Sequence, residues 1–267
     1  MASPGKVAIK TDYDGLQNVA DFIKQRIKCS PIIGLVAGSG LGHIAKDITD
    51  AVTLKYAEIP GFPVSTAIGH EGNLVCGLLS GRPVVCMQGR LHTYEGYTPA
   101  ECAAPIRVMH LLGVKFLIVT NASGGLNPDY QPGDILLLKD HVCLPALTGL
   151  NPLIGPNDDR QVFEICIRLL YTRATKQFGT RFPAMDNCYD VGLAVVVKNA
   201  AEKLGLKGKL REGVYAMISG PAYATKTESA LLRTLGGDAI GMSNCWEVMI
   251  ARHCGMKIMS LCVITDM

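Results

Sequence analysis

Apolar residues at Leu16, Val19, Ala20, Ile23 and Ile27 recur at three- and four-residue spacings, which predicts an amphipathic helix near the start of the chain. Short unbroken apolar runs follow at 32–36, 83–87, 116–120, 135–138, 214–219 and 258–264, each reading as a buried strand. Helical patterns fall between them. Residues 99–112 predict a helix that Pro105 should kink, and Leu193, Val197, Ala201 and Leu204 define another. Thr225-Lys226-Thr227-Glu228 and Asn244-Cys245-Trp246-Glu247 have the spacing of capping boxes that open two more. The alternation predicts an α/β fold with a mostly parallel, twisted central sheet flanked by helices.

At 267 residues and 48% hydrophobic content, the chain can bury one large core. No linker or shift in composition divides it, so a single domain over 1–267 is expected. Its 26 basic residues are dispersed and the net charge is only +3, which argues against a nucleic-acid partner and for a small anionic substrate wherever positive charge gathers. The first residues, Met1-Ala2-Ser3-Pro4-Gly5-Lys6, lack an apolar leader core, and no apolar run is long enough to span a bilayer, so the expected location is cytoplasmic, without a membrane partner. Ten cysteines lie at irregular spacings with no Cys-x-x-Cys pair, which predicts buried free thiols and no metal site.

Three predicted strands run into segments suited to oxyanions. Pro83-Val84-Val85-Cys86-Met87 leads into Gln88-Gly89-Arg90-Leu91-His92-Thr93-Tyr94-Glu95-Gly96-Tyr97, where Arg90 offers a charged donor fork and His92 a titratable donor that Glu95 could orient. Val36-Ala37-Gly38-Ser39-Gly40-Leu41-Gly42 and Thr120-Asn121-Ala122-Ser123-Gly124-Gly125 read as turns whose amides and hydroxyls cradle anions. In open α/β sheets such strand ends form the ligand site.

These separated motifs, in this order, resemble the trimeric-type purine nucleoside phosphorylases, with methylthioadenosine phosphorylases the second-best match. The resemblance runs from about Leu16 to Asp266. It implies a nucleoside phosphorylase-like fold, a homotrimer, and phosphorolysis of purine nucleosides to free base and ribose 1-phosphate. Inorganic phosphate would be co-substrate, and no cofactor would be required. By this resemblance Ser39, His70, Arg90, His92, Ala122 and Ser243 form the phosphate site, and His92, Glu95 and Asp266 are the catalytic set. Tyr94, Tyr223, Ala224, Met242, Asp266 and Phe178 contact the nucleoside, with Phe178 reaching over the sugar of an adjacent subunit. Taken without the resemblance, His70 in Gly69-His70-Glu71-Gly72 reads as a structural histidine.

The chain departs from the family in three places. Residues 161–177 look like an insertion between Gly155-Pro156-Asn157-Asp158 and Phe178-Gly179-Thr180-Arg181-Phe182-Pro183. The carboxyl-terminal helix that follows the last strand in relatives is missing, which would uncover an apolar face of the sheet. In Gly220-Pro221-Ala222-Tyr223-Ala224, Ala224 stands where 6-oxopurine phosphorylases carry Glu, and Asp266 stands where they carry Asn. A carboxylate there accepts from a 6-amino group, so the expected substrate preference shifts toward 6-aminopurine nucleosides. Two other functions have some support in the sequence. A catalytically impaired isoform or non-catalytic subunit follows from the insertion and the missing helix. A nicotinamide-dependent dehydrogenase is suggested by Gly38-x-Gly40, but its fingerprint needs Gly where His43 stands.

Overall fold

The structure, a computed structural model, describes residues 10–67, 69–155 and 178–267, so the insertion at 161–177 lies outside the described residues. The chain runs α1 (Tyr13–Lys24), β1 (Ile33–Ala37), β2 (Thr49–Lys55), β3 (Asn73–Leu79), β4 (Arg82–Gln88), α2 (Pro99–Leu112), β5 (Phe116–Gly125), β6 (Ile135–Cys143) and α3 (Leu144–Leu147). After the insertion come α4 (Val191–Lys203), β7 (Leu210–Met217), α5 (Lys226–Thr234), β8 (Ala239–Gly241), α6 (Cys245–His253) and β9 (Lys257–Asp266).

The strands form one sheet in the order β2-β3-β4-β1-β5-β8-β7-β6-β9, and β9 also pairs with β5. The ladder β5-β8-β7-β6-β9-β5 therefore closes on itself, while β1 to β4 extend from it as an open wing. The α/β class holds, and the sheet is mixed: β2, β3 and β4 pair antiparallel, as do β5 with β8 and β6 with β9. The other neighbours run parallel.

Alternation along β1 and β4 separates two packed faces. Val36, Val85 and Met87 point to the larger core with Leu16, Ala20 and Ile23 of α1, Ile106 and Met109 of α2, and Trp246 and Ile250 of α6. Leu35, Ala37, Val84 and Cys86 face a smaller cluster with Ala45, Ile48 and Val75. Helix α2 packs between α1 and α6, and it runs through Pro105 without a break. Its start is capped by Thr98, which accepts from the Glu101 amide, with Pro99 at the first turn.

Several expectations need correction. Helix α1 ends at Lys24, so Ile27 packs on the core from outside it. Residues 120–125 are not a turn. They continue β5, because β8 and β9 flank them and take their backbone hydrogen bonds, up to Gly124 opposite Ile240 and Asp266. Thr225 caps α5 as predicted, with Glu228 closing the box. Asn244 makes no side-chain cap on α6.

Helix α4 keeps Val191, Val195 and Val196 exposed, as is Leu204 at its carboxyl cap. Between it and the sheet lies an apolar groove of about 580 Å³, lined in part by Ile33, Phe116, Ile135, Leu193 and Val197. Among the described residues no helix is long and apolar enough to cross a membrane.

Candidate active site

A cleft of about 700 Å³ opens at the carboxyl ends of β1, β4, β5, β7, β8 and β9. That volume is in the range of small-molecule sites. Ser39 comes from the turn after β1, and Arg90, His92 and Tyr94 from the turn after β4. Asn121 to Gly125 come from the end of β5, Met242 and Ser243 from the segment after β8, and Asp266 from the end of β9. Tyr223, Ala224, Lys226 and Arg233 close the far side. The sequence therefore brings ten of its predicted site residues to one cleft: Ser39, Arg90, His92, Tyr94, Ala122, Tyr223, Ala224, Met242, Ser243 and Asp266.

Arg90 sits at the floor, only 1% exposed. Its Nη1 donates to Ser243 Oγ at 2.8 Å, and its Nε lies 3.0 Å from Glu247 Oε1 in a buried ion pair. Neither Nε, apart from that ion pair, nor Nη2 makes a hydrogen bond among the described residues. Because the Ser243 oxygen accepts from Arg90, its hydroxyl proton is free to point at an oxyanion. Glu247 is the principal residue that the sequence reading missed as a partner. Four residues after Ser243 on α6, it reads locally as a capping carboxylate, yet it spends its charge on Arg90.

His92 is held from behind. Glu95 Oε1 accepts from the His92 amide (2.8 Å) and lies 3.1 Å from Nδ1, which fixes Nδ1 as the protonated nitrogen and leaves Nε2 for another partner. Glu95 Oε2 accepts from the amide and hydroxyl of Thr66. Burial pushes the Glu95 carboxyl up, but these hydrogen bonds from His92 and Thr66 outweigh it and hold the group down at about 2. Glu95 is therefore an anion behind His92 and does not line the cleft.

His70 also stands one layer back. Its Nδ1 lies 2.9 Å from the Arg90 carbonyl and 3.1 Å from Ser65 Oγ, while Nε2 faces Ser39 Oγ at 3.2 Å. It does not line the cleft itself but backs two residues that do, Ser39 and His92. The rings of His70, His92 and Tyr94 stack in a column, at 5.3 Å and 4.5 Å between neighbouring centroids. Gly89 allows this packing: it has φ +112°, and a Cβ there would lie 2.7 Å from His70 Cβ.

Burial, with the nearby positive groups, pushes His70 down to about 4, and burial does the same to His253 at the end of α6. The unfolded chain therefore binds more protons than the folded one between about pH 6.5 and 4, and stability falls as pH drops through that window. Melting temperature measured from pH 7.5 to 4 is expected to decline steadily. His70→Asn should flatten part of that slope, and an unchanged slope would show that His70 is not held neutral.

Phe178 stands apart from the cleft of its own chain. It is absent from the residues lining the cleft and instead is buried against Tyr13 (5.3 Å), beneath the Arg107 guanidinium (4.4 Å) and near His110. An aromatic ring with a cation and two rings around it is satisfied as core. Asp266 lies at the rim, where its Oδ1 accepts from Thr265 Oγ1 at 2.7 Å. The turn after β1 enters a 3-10 helix, Gly42–Asp47, not the α-helix that a dinucleotide fingerprint requires. Among the described residues no group of three or more His, Cys, Asp or Glu is placed to hold a metal ion.

Residues 32–267 match the Phosphorylase superfamily. The chain is 48% identical over 255 residues to a purine nucleoside phosphorylase of Anopheles gambiae, covering 96% of this chain and 67% of that one. It superimposes on a schistosome purine nucleoside phosphorylase in complex with hypoxanthine with TM-score 0.87 and 42% identity, covering 97% of this chain and 86% of the other. A purine nucleoside phosphorylase in complex with ribose 1-phosphate gives TM-score 0.87 and 43% identity, covering 97% and 90%.

Proposed function

The chain belongs to the phosphorylase superfamily, and we propose that its cleft carries out the reaction of a purine nucleoside phosphorylase. Phosphate cleaves the N-glycosidic bond of a purine nucleoside, giving free purine and ribose 1-phosphate. The observation that carries the reading is the buried Arg90, which lines the cleft together with the hydroxyl residues Ser39 and Ser243 and with His92. Several donors lining one cleft suit a phosphate dianion, and the cleft has room for a nucleoside as well.

In this reading the donors hold phosphate below the anomeric carbon. His92 Nε2 accepts the remaining phosphate O–H, since its Nδ1 side is taken by Glu95. Tyr94 and Met242 flank the ribose, and Tyr223 covers the base from the rim. As the glycosidic bond breaks, positive charge develops on the sugar beside the phosphate anion, and negative charge on the purine. Most of the rate then comes from fixed geometry and pre-set charge, with His70 and Glu95 holding the first layer in place. A non-catalytic subunit is not favoured, because phosphate and base ends meet in one cleft of this chain. Trimeric assembly, resting on the family resemblance, completes the proposal.

The test is base release from inosine, guanosine, adenosine and methylthioadenosine by the purified chain, with and without phosphate. Release that requires phosphate supports the reading, and release that is equal without it overturns it. At the base end, Ala224 offers no side-chain acceptor and Asp266 offers a carboxylate, which favours a 6-amino group. We therefore expect kcat/KM for adenosine to exceed that for inosine. Asp266→Asn should lower the adenosine-to-inosine ratio by roughly tenfold, the scale of one mismatched polar contact. A clear inosine preference in the unaltered chain would sink the base assignment while leaving phosphorolysis intact.

A further inference from the structure

We propose that Glu247, which lies outside the cleft lining, sets both the orientation of the Arg90 guanidinium and the affinity of the site for phosphate. The inference rests on the reading of Arg90 as a phosphate donor. One short segment grips two different nitrogens of this guanidinium: Ser243 holds Nη1 at 2.8 Å and Glu247 lies 3.0 Å from Nε. With the side chains of Arg90 and Glu247 only 2% and 5% exposed, water screens neither charge. The two contacts hold the plane of the fork: neither Nε nor Nη2 makes a hydrogen bond to the described residues, but Nε faces the Glu247 carboxylate, so Nη2 is the nitrogen left for a ligand.

The same carboxylate offsets the positive charge that an incoming anion meets. A phosphate dianion approaching Arg90 encounters a guanidinium already paired with a buried anion, so part of the attraction is cancelled. A lone buried arginine would hold phosphate, and the ribose 1-phosphate formed from it, more tightly in the ground state without speeding the chemistry. Glu247 is thus a positioning residue with two separable effects, one geometric and one electrostatic.

Gln at 247 keeps an acceptor of nearly the same shape and removes the charge. Leu removes both. Glu247→Gln is expected to lower the KM for phosphate roughly three- to tenfold, and phosphate should raise its melting temperature more than it raises that of the unaltered protein. Glu247→Leu should raise the KM for phosphate at least about tenfold and lower kcat. In both, the KM for nucleoside should stay within about twofold of its original value. If the Leu variant fails to fold, Glu247→Asp takes its place: it keeps the charge, withdraws it from Nε, and should raise the phosphate KM. Opposite signs for Gln and for Leu or Asp support the proposal. Equal shifts, or a phosphate KM that none of them moves, overturn it, since a merely structural role changes stability alone. If phosphate affects neither turnover nor melting in the unaltered protein, the reading of Arg90 fails first and carries this inference with it.

Discussion

Replacing Arg90 with Met is expected to lower kcat/KM for phosphate by at least about 10²-fold, the scale of removing one pre-set donor from an anion site. It should also destabilise the fold. Met fills a similar volume, so the loss is not mainly one of packing. Glu247 would be left as a buried anion without its partner, and Ser243 Oγ would lose its donor. Removing one member of a buried ion pair costs about 3–5 kcal/mol. The double variant Arg90→Met with Glu247→Met separates the two effects. Replacing both charges with apolar groups is often neutral or stabilising. Urea unfolding should therefore show most of the lost stability recovered in the double variant, while phosphorolysis remains lost. Recovery of both, or of neither, would contradict the assignment of Arg90 to the phosphate and of Glu247 to Arg90.

What the sequence made legible is what its local pattern encodes. The turn after β4 announces itself because an apolar strand is followed at once by Arg90, His92, Tyr94 and Glu95, and Glu95 does hold His92. The helical spacing of α1 and the Thr225 capping box are equally local, and both form as read, apart from the early end of α1. The failures share a cause: the deciding partner is distant in sequence. Ser243 lies 153 residues from Arg90, so nothing near Glu247 signals that its charge is committed to a buried guanidinium. Residues 120–125 have turn-like composition, yet two strands from far along the chain capture them as a ladder. Strand β2 escapes notice because it is a mostly exposed edge whose polar residues give no apolar run. The role given to Phe178 comes from the family resemblance and concerns an adjacent subunit; within its own chain the ring packs against Tyr13 and beneath Arg107.

Asn244 shows how much a single position outside the first layer can decide. Its φ of +81° and ψ of −56°, with the Cys245 amide donating to the Ser243 carbonyl at 3.0 Å, form a γ-turn of the strained, positive-φ kind. The turn points Ser243 at Arg90 and lets α6 begin one residue later. Buried tertiary bonds hold it there. Asn244 Nδ2 donates to Asn121 Oδ1 (2.9 Å) and to Ser260 Oγ (2.6 Å), and Ser260 Oγ in turn donates to the Val119 carbonyl. One side chain thereby ties the segment after β8 to β5 and β9, the strands that end at the cleft. Strain of this sort persists where surrounding contacts over-determine it.

Asn244→Leu is expected to be the most damaging uncharged substitution near the site. It places a branched side chain at positive φ, costing about 1–2 kcal/mol, and it strips donors from Asn121 and Ser260 at about 1–3 kcal/mol. Asn244→Gly loses the same hydrogen bonds but keeps a backbone free to adopt the turn, so it should retain more stability. The order in urea unfolding is therefore Asn first, then Gly, then Leu. Both variants should raise the KM for phosphate, because Ser243 loses its fixed aim at Arg90. If Gly proves as damaging as Leu, the hydrogen bonds alone account for the position and the strained turn contributes nothing. If Leu leaves the phosphate KM unchanged in the folded fraction, the turn does not govern Ser243.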